Sequence, residues 1–479
     1  MGPLAPAGGH RASRSRHRAT QHRRRVSRRV VARHWLKFHA HSFGTTWLWG
    51  TGSAGRLYPI CSGAEMAASP SLTVPPRTSV SVIVVTYETP AEMLWLCLDS
   101  IAQNRYPNLE LLVVDNSHSS QVADALEGWQ AKQPSGSPEI RLLRQYRNLG
   151  YAAATNCGIE ASSGELVLLL NPDAVVEPTA VGLLVEAAQR RPEAAGFAPK
   201  VVLEADELIL DSVGIDLYLR GQGAQRGLGE PDIGQFDVEE RVAGLCFAAA
   251  LIRRAAFSPQ GVGELDESFF MFYEDVDWSM RASMRAQAFW TVPTARVHHV
   301  HSASTRHLAS DFKTRLIQRN LIWTAAKNLE RRRAVKVVLE HTARHLLGGA
   351  AGRHPWVSAR IIVEAWAGFP RLASARRASQ RRRLRSDSQV LTEPPKSDSF
   401  DSTHYRPTPS VDTLLRVLSR LYVVAPDAAL GRLVFRLTQA TKSKSVADPE
   451  QVAGWVRESG FAIRPGLEWL LRQLEAEGG

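Results

Sequence analysis

From residue 79 the chain alternates short apolar runs with segments of helical spacing. SVSVIVVTY (79–87) is rich in β-branched residues and bounded by turn residues, which predicts a buried strand. PAEMLWLCLDSIAQ (90–103) has helical periodicity, with Pro90 suited to a first turn. LELLVVDN (109–116), EIRLLRQ (139–145) and ELVLLLN (165–171) read as further strands. Residues 120–132 and the small-residue segment GYAAATNCGIEAS (150–162) read as the helices between them. A helix at 177–190 and a strand near 195–203 follow. The pattern is then mixed to residue 240, where a small-residue apolar segment, VAGLCFAAALIRR (242–254), begins. A helix is expected over 311–328.

Wholly apolar strands alternating with helices predict an α/β fold, a mainly parallel sheet covered on both faces. Right-handed crossovers place the strand C-termini on one edge, where open α/β sheets bind ligands. Polar residues gather at those ends: Thr86-Tyr87-Glu88, Asp115-Asn116-Ser117 and Asn171-Pro172-Asp173. This coincidence is the first functional signal.

Charge divides the chain further. The net +12 comes from two arms, residues 1–78 with 13 Lys/Arg against Glu65 and residues 331–386 with 14 Lys/Arg against Glu340 and Glu364, around an acidic body. The expected domains are a basic, disordered tail (1–77), an α/β domain (78–330), a basic amphipathic helical extension (331–386), a linker (387–410) and a small helical module (411–479). Cys61, Cys97, Cys157 and Cys246 lie far apart without a CxxC pair, which fits free thiols and a cytoplasmic setting. No run reaches the ~18–20 apolar residues that span a bilayer. The 331–386 arm interleaves Arg with Trp, Ile, Val and Phe, as membrane-surface segments do, and holds no recognised nucleic-acid module, so peripheral membrane contact is expected and nucleic acid is not.

Three segments carry candidate chemistry. Asp173 ends the fourth strand and reads either as a ligand for a divalent cation or as part of an Asn-Pro-Asp turn. Asp115 reads as an acceptor for a nucleobase or ribose, or as a helix cap. FFMFYEDVDW (269–278) sets Glu274, Asp275 and Asp277 among five aromatics, surroundings that raise a carboxylate pKa toward that of a general base. Asp277 and Arg281, four apart, read as a structural ion pair. In ARVHHVHSAS (295–304), His299 and His301 share one strand face and His298 takes the other; metal ligation competes with an exposed strand end.

In order, VIVVTY, VVDNS, RNLGYAAATNCGI (147–159), LLLNPDA, GELDESFFMFYEDVDWSMR (263–281) and ARVHHVHSAS resemble the family 2 glycosyltransferases of the GT-A fold, within them the bacterial rhamnosyltransferase-like branch of cell-wall and surface polysaccharide synthesis. The resemblance covers about residues 78–325. It implies an inverting transfer of a sugar, rhamnose among the candidates, from a nucleotide-diphosphate donor to a glycan or lipid-linked acceptor. Asp275, with Glu274 beside it, would supply the catalytic base. Thr86, Tyr87, Asp115, Asn116, Asn148, Gly150, Asn156 and Asp173 would bind the donor. Asp173 and His299 would hold Mg²⁺ or Mn²⁺, and Arg319-Asn320 resembles a common downstream pair. Glu88 stands where many members carry Asn, and the residues after His299 depart from the usual glycines. The rival readings are a degenerate GT-A protein and a basic nucleic-acid-binding or scaffold protein.

Overall fold

The computed structural model describes residues 78–393 apart from 134–139, 205–208, 231, 233 and 301–307, together with 414, 415, 418, 428–442, 449–460, 471 and 472. The expected N-terminal tail, His301 and most of the linker lie outside the described residues. The first half of the α/β unit runs β1 (Val80–Thr86), α1 (Ala91–Ala102), β2 (Leu109–Asp115), α2 (Gln121–Gln130), β3 (Ile140–Arg144), α3 (Tyr151–Ala161) and β4 (Leu166–Leu170). These match the expected elements to within a residue or two at each end. There follow β5 (Ala174–Val176), α4 (Ala180–Arg190), β6 (Ala194–Leu203), β7 (Leu210–Ser212), β8 (Ile215–Leu217), β9 (Gly223–Gln225), β10 (Arg241–Val242), β11 (Ala249–Arg253), α5 (Glu274–Met284) and β12 (Ala288–His299).

The described strands form a ten-stranded sheet in the order β10-β12-β6-β11-β4-β1-β2-β3, with β5 and β7 added on β12 and β6. β4, β1, β2 and β3 are mutually parallel, and β12 is parallel to β6. β11 runs antiparallel between β4 and β6. This is the mixed, mainly parallel sheet with helices on both faces that the sequence led us to expect. Successive strand residues feed two cores: Val80, Val82 and Val84 join α1, α2 and α4 on one face, while Ile83 and Val85 join α3 and α5 on the other. The small residues of α3 have a packing reason. A Cβ on Gly158 would stand 2.6 Å from Ile83 Cγ2, so α3 lies close against β1 only because that position is bare.

Strand order reverses between β1 and β4, and there Thr86-Tyr87 and Asn171-Pro172-Asp173 diverge to open a cleft. Beyond the sheet come α6 (Ser310–Asn328), α7 (Arg331–Ala350), α8 (Pro355–Ala367), α9 (Phe369–Arg381) and the single turn α10 (Asp387–Val390). Near the C-terminus, α11 (Ala428–Lys442) and α12 (Pro449–Glu458) bury a small leucine-rich cluster including Leu430, Leu437 and Val456. Among the described residues no helix is long and apolar enough to cross a membrane.

A buried ionic cluster joins α5 to α6. Asp277 is fully buried, accepts from Arg281 at 3.0 Å and Asn328 at 2.7 Å, and pairs with Lys327 at 2.9 Å. Lys327 also reaches Asp266 at 2.6 Å. The ion pair expected between Asp277 and Arg281 is thus one arm of a larger network. Asp277→Ala leaves two cations buried and is expected to destabilise the fold by about 3–5 kcal/mol, read by denaturant unfolding.

Candidate functional site

The cleft at the strand ends has a volume of about 470 Å³ and gathers side chains from across the sequence. Thr86, Tyr87, Asn116, Asn148, Gly150, Asp173, Glu274, Asp275 and His299 all line it. Two expected donor contacts do not. Asp115 is fully buried behind the wall, where Oδ1 accepts from the Ser117 N–H at 3.0 Å and Arg144 lies 3.4 Å from Oδ2. Asn156 instead braces a loop: its amide donates to Leu265 O and Glu267 Oε1 while its oxygen accepts from the Leu265 N–H. Both act within the fold, on the turn after β2 and on the segment leading to the acids.

Asn116 organises the near wall. Its amide nitrogen donates to Asn148 Oδ1 at 3.0 Å and Gly150 O at 3.3 Å, and its oxygen accepts from Leu149 N–H at 2.9 Å. Gly150 sits at φ +84°, and a Cβ there would come within 2.4 Å of Phe270 O. No other residue allows this approach at low cost. Ala152 N–H, just beyond, donates to that same Phe270 oxygen at 3.2 Å. The NLGYAAATN segment therefore abuts the acid-bearing loop. Glu88, the departure after Thr-Tyr, accepts from His118 N–H, Ser119 N–H and the Ser119 hydroxyl, which hold its carboxyl below the usual range.

The acid loop is backbone-strained. Phe270, Phe272 and Tyr273 have φ of 68°, 64° and 69°, conformations that bulky residues avoid. Asn320 on α6 holds them: its amide nitrogen donates to the carbonyls of Phe269, Met271 and Phe272 at 3.0, 3.0 and 2.7 Å. Arg319 adds a bond to Phe269 O at 3.0 Å. Sequence reading caught this Arg-Asn pair only as a resemblance, because nothing local shows what it grips.

The loop delivers Glu274 and Asp275 to the first turn of α5. Burial pushes the Asp275 carboxyl up to about 6, against the pull of backbone N–H groups at Val276 and Phe247. Glu274 is driven well above the carboxylate range, first by burial and then by the charge of Asp275. Of the pair, Asp275 is therefore the first to ionise and Glu274 holds its proton to higher pH.

Opposite chemistry surrounds His299. Its Nε2 lies 3.3 Å from Asp173 Oδ1, and its Nδ1 donates to Asp211 Oδ2 at 2.9 Å. Burial opposes charge on this ring, but Asp211 and Asp173 outweigh it and push the imidazole up to about 10. His298 faces away, toward Glu177 at 3.2 Å. Asp211, in the mixed stretch on β7, belongs to no motif and was not anticipated. With Nδ1–H given to Asp211, the Nε2 lone pair and the Asp173 oxygen face each other, so a positive charge belongs between them, either a proton or a cation. Among the described residues no cluster of three such groups forms a complete metal cage. A carboxylate with one imidazole fits Mg²⁺ or Mn²⁺, which complete their shells from substrate phosphate and water.

Asn320→Ala is expected to cost about 1–3 kcal/mol by stranding buried carbonyls. Amide exchange should accelerate over residues 264–273 while β1 and β4 keep their protection. Uniform protection in the variant would remove Asn320 as the clamp.

Residues 81–258 match the family model for glycosyl transferase family 2. The chain is 29% identical over 314 residues to an N-acetylglucosaminyl-diphospho-decaprenol L-rhamnosyltransferase of Mycobacterium tuberculosis, covering 57% of this chain and 98% of that one. It is 29% identical to the O-antigen biosynthesis protein RfbC of Myxococcus xanthus, covering 47% of this chain and 17% of that one. It is also 29% identical to the uncharacterized protein y4gI of Sinorhizobium fredii, of which it spans a quarter. Over residues 81–258 the chain is thus similar to the family 2 glycosyltransferases, and over a longer span to a rhamnosyltransferase relative of that kind.

Proposed function

We propose that the chain is an inverting glycosyltransferase that moves a sugar from a nucleotide-diphosphate donor to a hydroxyl of a glycan or lipid-linked acceptor in polysaccharide synthesis. The observation that carries this is the meeting, in one cleft, of an ionised buried carboxylate at Asp275 with an Asp173–His299 pair arranged for a cation. Asp275 takes the proton from the acceptor hydroxyl as that oxygen attacks the anomeric carbon. The anomeric C–O bond to the diphosphate breaks on the opposite face, so configuration inverts. Glu274, which holds its proton to higher pH than Asp275, keeps a second negative charge off the base.

Asp173 and His299 would hold the divalent ion, Mg²⁺ or Mn²⁺, with Asp211 orienting the imidazole. When bound, that ion supplies charge neutralisation for the departing diphosphate. Thr86, Tyr87, Asn116, Asn148 and Gly150 shape the donor side of the cleft. An L-rhamnosyl donor is the first candidate, and a polyprenyl-diphosphate-linked acceptor the first acceptor class, because the Mycobacterium relative carries that activity in its name. A lipid-linked acceptor favours a cytoplasmic enzyme working at the inner membrane face. The expected domain boundaries stand as part of this proposal. A degenerate or scaffold reading leaves the buried acids and the Asp211–His299–Asp173 line without a purpose.

A donor screen tests the reading, following nucleotide-diphosphate release from UDP-, dTDP- and GDP-sugars with Mn²⁺, Mg²⁺ or EDTA. Asp275→Asn is expected to lower turnover by about 10²–10⁴-fold while donor binding persists. In the native chain kcat/KM should fall as pH drops through about 6, because Asp275 then binds a proton and can no longer accept one. Near-normal turnover of the Asn variant, or a flat profile between pH 5 and 8, contradicts the assignment. Asp211→Asn is expected to weaken Mn²⁺ affinity about 10–100-fold, read by titration calorimetry without sugar. Unchanged affinity would place the ion elsewhere.

A further inference from the structure

The helical hairpin beyond the sheet turns an unusual surface outward. On α7, Val335, Leu339 and Leu346 are exposed and lie within one narrow arc of the helix, with Thr342 on the same line. On α8, Val363 and Trp356 are seven residues apart on one face, and Trp366 stands beside Val363. The Trp366 indole N–H donates to the Thr342 hydroxyl at 3.2 Å, which joins the two stripes into a single apolar face. At the tip connecting the helices, Leu347 is 72% and Trp356 84% exposed. Soluble surfaces rarely leave so much contiguous apolar area open.

Charge says what covers it. Arg331, Arg332, Lys336, Arg344, Arg353 and Arg360 are all exposed on these two helices and their connection. Against the 14 Lys/Arg of residues 331–386 stand only Glu340 and Glu364. Glu364 is already engaged by Arg315 of α6, and Lys336 has Glu340 at 3.7 Å. Arg360 also reaches Glu364 at 3.8 Å, yet basic residues still far outnumber acids. An apolar face with this excess of cations matches a bilayer interface carrying anionic headgroups, with acyl chains below for Trp356 and Leu347.

We propose that the α7–α8 hairpin lies on an anionic phospholipid bilayer, its tip inserted at Leu347 and Trp356. Phe312, Lys313 and Ile317 of α6 line the cleft, while Arg315 of the same helix turn pairs with Glu364 on α8. The bilayer-facing helix is therefore the immediate neighbour of a cleft wall. This deepens the lipid-linked-acceptor part of the proposed function.

The test uses the full chain and vesicles of phosphatidylcholine with or without phosphatidylglycerol, with no sugar donor present, so it can fail while donor turnover stands, and the reverse. Binding is expected to need phosphatidylglycerol. The double variant Leu347→Ser, Trp356→Ser should partition about tenfold more weakly, with an unchanged melting temperature because both side chains face solvent. Brominated acyl chains should quench native fluorescence more than that of Trp356→Phe, a difference that binding through the basic N-terminal residues would not produce. Equal quenching, equal partitioning of the double variant, or native protein that ignores anionic vesicles overturns the proposal. So does a native dimer that the double variant dissociates, since the face would then belong to a second copy.

Discussion

Asn320 donates from one nitrogen to three carbonyls, those of Phe269, Met271 and Phe272, in a loop whose bulky residues sit at positive φ. Left to itself that backbone would relax, because each such residue carries strain of about 1–3 kcal/mol. It is gripped from the other side as well. Gly150 packs bare against Phe270, Ala152 donates to the same carbonyl, and Asn156 pairs with both backbone groups of Leu265. The position of Asp275, in the first turn of α5, follows from these contacts on the loop that leads into that helix. Two stretches about 110 and 50 residues away along the chain thus fix one carboxylate.

The same constraint gives the helices beyond the sheet a part in the site. α6 contributes Asn320 to the loop and Lys327 and Asn328 to Asp277, three residues into α5. Ser379 on α9 donates to Asn328 Oδ1 at 3.0 Å, and Arg376 donates to the carbonyls of Ala326 and Leu329. These contacts cross the expected boundary near residue 330. The acid helix is buttressed from α9 through α6.

Much of this was legible, and the reasons are specific. Strands such as Val80–Thr86 are apolar on both faces, so their sequence announces a sheet covered twice, and the two cores follow. The strand ends were legible because polar residues interrupt such runs abruptly. Roles were less so. Asp115 and Asn156 stand in the right motifs yet outside the cleft lining, where Asp115 Oδ1 accepts from the Ser117 N–H and Asn156 holds Leu265, contacts that residue spacing does not encode. Asp211 was invisible because an isolated acid in a three-residue strand carries no pattern. The antiparallel course of β11 was hidden too, since an apolar run has no direction until its neighbours are known.

Adjacent carboxylates at one helix start would ordinarily compete for a single charge, and here the backbone decides between them. Asp275 accepts the N–H of Val276 at the head of α5 and that of Phe247 from the segment leading into β11. Glu274 has only its own N–H to oppose burial, and Oε2 is buried with no hydrogen-bond partner. Glu274 is therefore the last of the two to lose its proton, and Asp275 the first to take the charge. Exchanging the pair along the sequence would not exchange the roles, because the donors belong to the position and not to the side chain. A base at this place keeps its charge at neutral pH while remaining weakly solvated, and its neighbour adds a hydrogen-bond donor to the same wall.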